Sequence, residues 1–145
     1  MTEQLVEPRA PGARETSRVS RILIVDDDPN IVQMLSDILT DEGYEVATAT
    51  QSLRAFDRAK ESQPDLILMD IMMPYLDGLD QIKLLSLDDD LKDIPIIVIT
   101  AKARALDGIE DLRALRIVDY LYKPFEISDL LEKIGKAIKD RTGSN

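Results

Sequence analysis

The chain has 145 residues, a length that suits one domain able to bury most of the surface that its unfolded form exposes. It carries 28 Asp and Glu against 18 Lys and Arg, and the net charge of −10 argues against electrostatic binding to nucleic acid or to an anionic membrane. It has no Cys and no His, which excludes disulfides, thiolate metal sites and the usual catalytic base, so any metal must be held by oxygen ligands.

Both ends of the chain are predicted to be tails outside the folded domain. Residues 1–20 contain prolines and a glycine but almost no apolar periodicity, so we expect a disordered N-terminal tail. The folded domain is expected over residues 21–140, with a C-terminal tail over residues 141–145. No apolar run approaches the ~20 residues of a membrane helix, and no signal peptide is recognisable, so a cytoplasmic protein is predicted.

The first predicted unit is a strand followed by an acidic turn and a helix. Residues 22–25 are all apolar, as expected for a strand that is buried on both faces, and the acidic run 26–28 follows them. Pro29 suits the first turn of a helix. Apolar residues then recur at helical spacing up to Gly43, a natural C-terminal cap.

The next unit leads to a second carboxylate. Residues 44–49 alternate in character, which predicts a less buried edge strand, and a short helix should follow with Leu53 and Phe56 facing inward. Residues 66–69 form another fully apolar strand, which stops at Asp70. An Asp at the carboxyl end of a buried parallel strand lies where open α/β sheets bind their ligands.

A third apolar strand is predicted beyond this carboxylate. The loop after Asp70 leads to a helix whose inner face contains Ile82 and either Leu84 or Leu85. Residues 96–99 then form an apolar run that ends at Thr100.

The last part of the chain completes the alternation of strands and helices. A polar helix around residues 107–115 precedes a short strand over residues 120–122, which ends at Lys123. The final helix buries apolar residues from Ile127 to Ile138. Five strands alternating with five helices predict a three-layer α/β sandwich with a parallel sheet.

Polar side chains at four predicted strand ends should meet, because all carboxyl ends of a parallel sheet lie at one edge. They are Asp26, Asp27, Asp70, Thr100 and Lys123. Crowded carboxylates repel unless a divalent cation neutralises them, and oxygen ligands suit Mg²⁺ or Mn²⁺. The Thr100 hydroxyl and the Lys123 ammonium would bind the oxygens of a phosphoryl group, and Asp70 is a candidate nucleophile that forms an aspartyl-phosphate.

A structural explanation exists for each of these residues taken alone. An Asp at a strand end can cap the following helix, and an acidic run before a helix favours the helix dipole. Capping gives no reason for an acidic pair, a Thr and a Lys at four different strand ends, so the combination favours a phosphorylation site.

This constellation resembles the receiver domain of bacterial two-component response regulators. The resemblance covers roughly residues 21–139 and depends on four short stretches, residues 22–29, 70–74, 100–101 and 123–125. It implies a (βα)5 doubly wound, flavodoxin-like and CheY-like fold with strand order 2-1-3-4-5. It also implies a signalling switch that is controlled by phosphorylation.

The resemblance implies a role for each residue of the site. Asp27 would bind Mg²⁺ directly and Asp26 through water, with Asp70 and the backbone carbonyl of Met72 as further ligands.

The phosphoryl group would be accepted by Asp70 and contacted by Thr100 and Lys123. Thr100 and Tyr120 would form the switch, with Tyr120 as its aromatic member, and the peptide bond between Lys123 and Pro124 is expected to be cis.

The partners implied by the resemblance are proteins. A sensor histidine kinase or a histidine phosphotransfer protein would donate the phosphoryl group, since this chain has no His. The chain would catalyse its own phosphorylation and dephosphorylation, and is not expected to be a conventional enzyme. We expect no output domain after the last predicted helix, so the signal is expected to pass to a downstream protein, with no nucleic acid or membrane involved and the chain a monomer or weak dimer.

Two departures from the family pattern fall near the fourth predicted helix. Residues 116–119 read Arg-Ile-Val-Asp where such domains usually have Gly-Ala-Asp-Asp, and the interval from Thr100 to Lys123 is about one residue longer than expected. A receiver-like scaffold that works without phosphorylation is therefore the alternative function. A phosphatase of the haloacid dehalogenase type would need a second Asp two residues after Asp70, where this chain has Met72.

Overall fold

The computed structural model describes residues 19–71, 78–101, 106–107 and 111–142. The strands and α-helices in these ranges are β1 (Arg21–Val25), α1 (Pro29–Asp41), β2 (Glu45–Ala49), α2 (Ala55–Ser62), β3 (Leu66–Asp70), α3 (Gly78–Ser86), β4 (Ile96–Thr100), β5 (Ile117–Tyr122) and α4 (Ile127–Thr142). A 3-10 turn, Ser52–Arg54, leads into α2. No described helix is long and apolar enough to cross a membrane.

The five strands form one parallel sheet in the order β2-β1-β3-β4-β5, which confirms the predicted fold. Every residue of β3 and β4 is buried, as their unbroken apolar sequences predict. Helices α1 and α4 pack on one face of the sheet, and α2 and α3 pack on the other. This arrangement is the three-layer sandwich, with the carboxyl ends of all strands at one edge.

The first helix shows why the chain turns sharply after β1. Asp28 caps α1, because its side chain accepts a hydrogen bond from the Asn30 N–H at 2.9 Å, and Pro29 occupies the first turn. Gly43 adopts a φ of 97° just after the helix, and the N–H groups of Gly43 and Tyr44 bond to carbonyls of the last turn. The predicted cap at Gly43 is therefore confirmed.

The prediction of a fourth helix around residues 107–115 is wrong for those of its residues that the structure describes. Residues 106–107 and 112–116 form turns, residue 111 is irregular, and residues 108–110 lie outside the described residues. The Asp111 side chain accepts a hydrogen bond from the Arg113 N–H at 3.1 Å, and the chain reverses at Arg116, which has a φ of 60°. Only about one turn fits between Asp111 and Arg116. Strand β5 accordingly starts at Ile117, three residues earlier than the predicted strand.

Two smaller expectations about helices change, and one open alternative is resolved. Leu53 does not face inward, because its side chain is 65% exposed in the turn before α2. In α3 the buried residue is Leu85, whereas Leu84 is exposed. The last helix runs to Thr142, two residues beyond the predicted end of the domain.

Candidate functional site

The carboxyl edge of the sheet brings together residues that are far apart in the sequence. Asp26 and Asp27 follow β1, Asp70 ends β3, Thr100 ends β4 and Lys123 follows β5. These four strands are consecutive neighbours in the sheet. The β4–β5 pairing extends one residue past the strands, because the Lys123 N–H donates to the Thr100 carbonyl at 2.8 Å.

One ammonium group joins the two buried carboxylates of this edge. Lys123 Nζ donates to Asp26 Oδ2 at 3.1 Å and to Asp70 Oδ2 at 3.0 Å. The side chain of Lys123 is about a quarter exposed, whereas those of Asp26 and Asp70 are almost fully buried. Lys123 is therefore held where it can reach both carboxylates and the solvent-facing side of the site.

The charges at this edge do not balance. Burial, together with the nearby charge of Asp70, raises the pKa of Asp26, although the Asp28 N–H and Lys123 act in the opposite direction. Burial would lower the pKa of Lys123, but its hydrogen bonds to Asp70 and Asp26 outweigh burial and raise it. The ammonium is thus firmly charged, while ionisation of Asp26 is less favourable than that of an Asp in water.

The donor set fits a hard divalent cation. Carboxylate oxygens of Asp26, Asp27 and Asp70 all lie within 4.8 Å of one another, and two of these three residues are buried. A second positive charge would relieve the unfavourable ionised form of Asp26, and carboxylate oxygens are the ligands that Mg²⁺ prefers. Met72, whose carbonyl was expected to complete the set, lies outside the described residues.

The residues expected to form the switch lie on β4 and β5. Thr100 is completely buried at the end of β4. Tyr120 is 42% exposed, and its ring contacts that of Tyr122 with centroids 5.3 Å apart. The peptide bond between Lys123 and Pro124 is cis.

Asp28 contributes to the site in a way that sequence reasoning did not assign. Its N–H donates to Asp26 Oδ1 at 2.9 Å, while its side chain caps α1. The signal was present, because an Asp directly before a Pro in the first turn of a helix is typical of an N-cap. Asp28 therefore fixes the orientation of Asp26 from the start of α1.

Comparisons with known proteins agree on one family. The family model of the response regulator receiver domain matches residues 22–135. The transcriptional regulatory protein PrrA of Mycobacterium tuberculosis is 39% identical over 124 residues, which are 86% of this chain and 52% of PrrA. This chain spans about half the length of the curated relatives it matches.

Two solved structures of response regulators are matched over nearly their whole length. The chemotaxis protein CheY4 of Vibrio cholerae has a TM-score of 0.74 at 31% identity, covering 82% of this chain and 98% of CheY4. The response regulator TrrA of Thermotoga maritima, in complex with Mg²⁺ and BeF, has a TM-score of 0.71 at 34% identity, covering 82% of this chain and 99% of TrrA.

The relatives refine two expectations about ligands and partners. Receiver domains bind Mg²⁺ at an acidic pocket and accept phosphoryl groups from histidine kinases, and the acidic cluster of this chain corresponds to such a pocket. Several relatives are named DNA-binding response regulators, but they are about twice as long as the part that this chain matches. The expectation of no nucleic-acid partner therefore stays a prediction about this chain alone.

The fold, the acidic edge and the family match over residues 22–135 lead to the same assignment. This chain belongs to the response regulator receiver domains of two-component systems, which are switched in signalling by phosphorylation of an Asp.

Proposed function

We propose that Asp70 is the residue of this chain that accepts the phosphoryl group. The observation that carries the proposal is the shared ammonium of Lys123, which lies 3.0 Å from Asp70 and 3.1 Å from Asp26. Asp70 is thereby held next to a cation that can bind phosphoryl oxygens and next to the carboxylates that can bind a metal.

In the proposed reaction an oxygen of Asp70 attacks the phosphorus of a phosphohistidine on the donor protein. The new bond joins Asp70 Oδ to phosphorus, the bond between phosphorus and the imidazole nitrogen breaks, and its electron pair stays on the imidazole. The donor would be a sensor histidine kinase or a histidine phosphotransfer protein.

The cation and the donor groups would stabilise the charge of the transferred group. Asp26, Asp27 and Asp70 would hold Mg²⁺, which neutralises phosphoryl oxygens when bound. The Lys123 ammonium, whose pKa is raised by its two carboxylate partners, stays charged at neutral pH and would move onto a phosphoryl oxygen. The hydroxyl of Thr100 would donate to another oxygen of the same group.

The signal would leave the site through β4 and β5. Thr100 ends β4 opposite Tyr122 in the strand register, and Tyr120 lies two residues earlier on β5. A pull on Thr100 by the phosphoryl group would change the packing of the partly exposed Tyr120 and so the surface that a downstream protein contacts. Partner binding would then follow the population of the phosphorylated conformation.

Acetyl phosphate and intact mass spectrometry test the proposal. The wild-type chain should gain the mass of one phosphoryl group when Mg²⁺ is present and none when the metal is chelated. Asp70→Asn should gain none, because the amide has a similar shape but is not a nucleophile. Asp37→Asn, on the exposed face of α1, should behave as wild type. A stable gain of one phosphoryl group by Asp70→Asn would show that the assignment is wrong, and no gain by the wild type would favour a scaffold that works without phosphorylation.

A further inference from the structure

Gly78, the first residue of α3, packs directly against the backbone that follows Asp70. A Cβ atom at Gly78 would lie 3.0 Å from the Asp70 carbonyl oxygen, 3.0 Å from Ile71 Cγ2 and 3.1 Å from Ile71 Cα. These distances are shorter than the roughly 3.5 Å or more at which non-bonded carbons pack. Among the described glycines only Gly43 has a positive φ, so Gly78 is required for space and not for its backbone conformation.

The peptide group between Asp70 and Ile71 is held from two opposite sides. Its N–H, from Ile71, donates to the Ile99 carbonyl of β4 at 3.2 Å. Its carbonyl oxygen, from Asp70, faces the start of α3 at Gly78. The N–H and C=O of a trans peptide point in opposite directions and lie in one plane with the flanking Cα atoms. The peptide group that follows Asp70 therefore lies between a hydrogen bond to β4 on one side and the start of α3 on the other.

We propose that Gly78 is a positioning residue for the Asp70 carboxylate. The inference rests on the proposed role of Asp70 as phosphoacceptor. A side chain at Gly78 would push the peptide toward β4, where the 3.2 Å hydrogen bond to Ile99 can shorten by a few tenths of an ångström. The carboxylate would shift with the peptide, away from the position in which it is bonded to Lys123 at 3.0 Å.

The expected effect is a slower reaction in a protein that remains folded. Because a misplacement of 1 Å can cost a reaction about 100-fold, the shift of a few tenths of an ångström expected in Gly78→Ala should slow phosphorylation about 3- to 10-fold. Gly78→Val, with a larger side chain, should slow it further. Gly135→Ala is the matched control, since Gly135 lies inside α4 and a Cβ there meets nothing within 4 Å.

The experiment compares the rate of Mg²⁺-dependent phosphorylation by acetyl phosphate in the wild type and these three variants. All rates are measured well below the melting temperature of each variant, so that a loss of stability alone does not change them. The maximal rate should fall in the order wild type, Gly78→Ala, Gly78→Val, while Gly135→Ala matches the wild type. The acetyl phosphate concentration at half-maximal rate should change less, because the shift concerns the nucleophile.

Two results would overturn the inference without affecting the proposed function. One is a Gly78→Ala rate equal to that of the wild type; the other is an equal loss of rate in Gly78→Ala and Gly135→Ala. If the wild type itself takes up no phosphoryl group, the proposed function fails. The ¹³C resonance of the Asp70 carboxylate then tests the positioning role of Gly78 on its own. It should differ from wild type in Gly78→Ala but not in Gly135→Ala, and an unchanged resonance would contradict a positioning role. If Gly78→Ala does not fold, it is combined with Ile71→Ala, which removes the contact with Cγ2. The phosphorylation rate of this double variant is then compared with that of Ile71→Ala alone.

Discussion

Lys123 is the partner that lets Asp26 and Asp70 stay buried together. Removing its ammonium leaves two carboxylates, exposed by no more than a few per cent, without the hydrogen bonds of 3.1 and 3.0 Å that it supplies. The loss of a hydrogen-bond partner from a buried charged group is costly, about 1 to 3 kcal/mol. The stability of the protein without metal should therefore depend strongly on this residue.

Lys123→Ala should lower the free energy of unfolding by about 1 to 3 kcal/mol in metal-free buffer. Added Mg²⁺ should recover more stability in this variant than in the wild type, because the metal replaces a missing positive charge. Urea denaturation with and without Mg²⁺ measures both effects.

Lys133→Ala is the matched control for this substitution. Lys133 forms its ion pair with Asp119 at 3.3 Å, and both side chains are about one third exposed. Such a pair contributes less than about 1 kcal/mol. A loss in Lys123→Ala no larger than that in Lys133→Ala would contradict the structural role of the shared ammonium.

Asp26 and Asp27 should respond differently to the same substitution, because Asp26 is buried and Asp27 is exposed. Burial raises the pKa of Asp26 above its ordinary value, so the folded chain binds this proton more tightly than the unfolded chain does. The cost of ionising Asp26 in the folded chain is absent at pH values below its ordinary pKa. This cost develops as the pH rises through the raised pKa of the folded state. Asp26→Asn should therefore raise the metal-free melting temperature, and by more at about pH 8 than at about pH 4.

Asp27→Asn should leave the metal-free melting temperature close to that of the wild type. Both variants should lose most of the response to Mg²⁺, since each lacks one proposed ligand. Thermal melts at the two pH values, with and without the metal, separate these effects. A lower melting temperature of Asp26→Asn at about pH 8 would contradict the argument from burial.

At the scale of secondary-structure elements, the turn before β5 explains one departure from the family pattern. Arg116 has a φ of 60°, a left-handed conformation that glycine adopts without strain, and receiver domains usually have Gly at this position. An L-residue in this conformation costs roughly 1 kcal/mol. Among the described residues, the Arg116 side chain offsets this cost only by donating an exposed hydrogen bond to the Asp93 carbonyl, at 3.2 Å.

Arg116→Gly should stabilise the domain by about 0.5 to 1 kcal/mol, because it removes this strain. Arg113→Gly, in the same turn but without a positive φ, should destabilise it. Chemical denaturation of both variants measures the difference. Equal destabilisation by the two substitutions would show that the left-handed residue is not strained.

The strands of this domain could be predicted from sequence, whereas the region before β5 could not. Residues 66–69 and 96–99 are unbroken apolar runs, and only strands buried on both faces fit them. The helix predicted around residues 107–115 followed from the alternation of elements and had no strong apolar periodicity. Leu112 and Leu115 do pack against the core there, but from turns.

For the site, the sequence was sufficient to predict which strand ends meet. Parallel strands alone require that Asp26, Asp27, Asp70 and Lys123 share one edge, and the structure places them there. The family resemblance assigned the three carboxylates different roles, but no sequence pattern predicted that they differ in burial. The difference in burial between Asp27 and the other two depends on how the chain turns after β1, which the acidic run does not specify. The space required at Gly78 depends on how closely α3 approaches β3, which no local pattern encodes.

For the whole molecule, the crowded carboxylates predict a measurable effect of Mg²⁺ on stability. With an assumed dissociation constant near ~1 mM, ~10 mM Mg²⁺ should stabilise the folded chain by RT ln(1 + 10), about 1.4 kcal/mol. For a domain of this size the melting temperature should rise by roughly 3 to 6 °C. The reference sample contains NaCl at matched ionic strength, since the net charge of −10 makes the fold sensitive to salt. An equal rise in the NaCl sample would attribute the effect to screening.

Strand β3 has a buried carboxylate at each end. Asp65, just before it, accepts the Arg21 N–H at 2.8 Å and lies 3.8 Å from the Arg141 guanidinium, while Asp70 at its other end is bonded to Lys123. Sliding β3 by one residue would separate both carboxylates from their partners and turn every side chain to the opposite face. The pairing of β3 is therefore fixed at both of its ends, whereas the β4–β5 register is interrupted after Ile96. We expect hydrogen exchange on phosphorylation to change in β4 and β5, which contain Thr100 and Tyr120, and to leave β3 as it was.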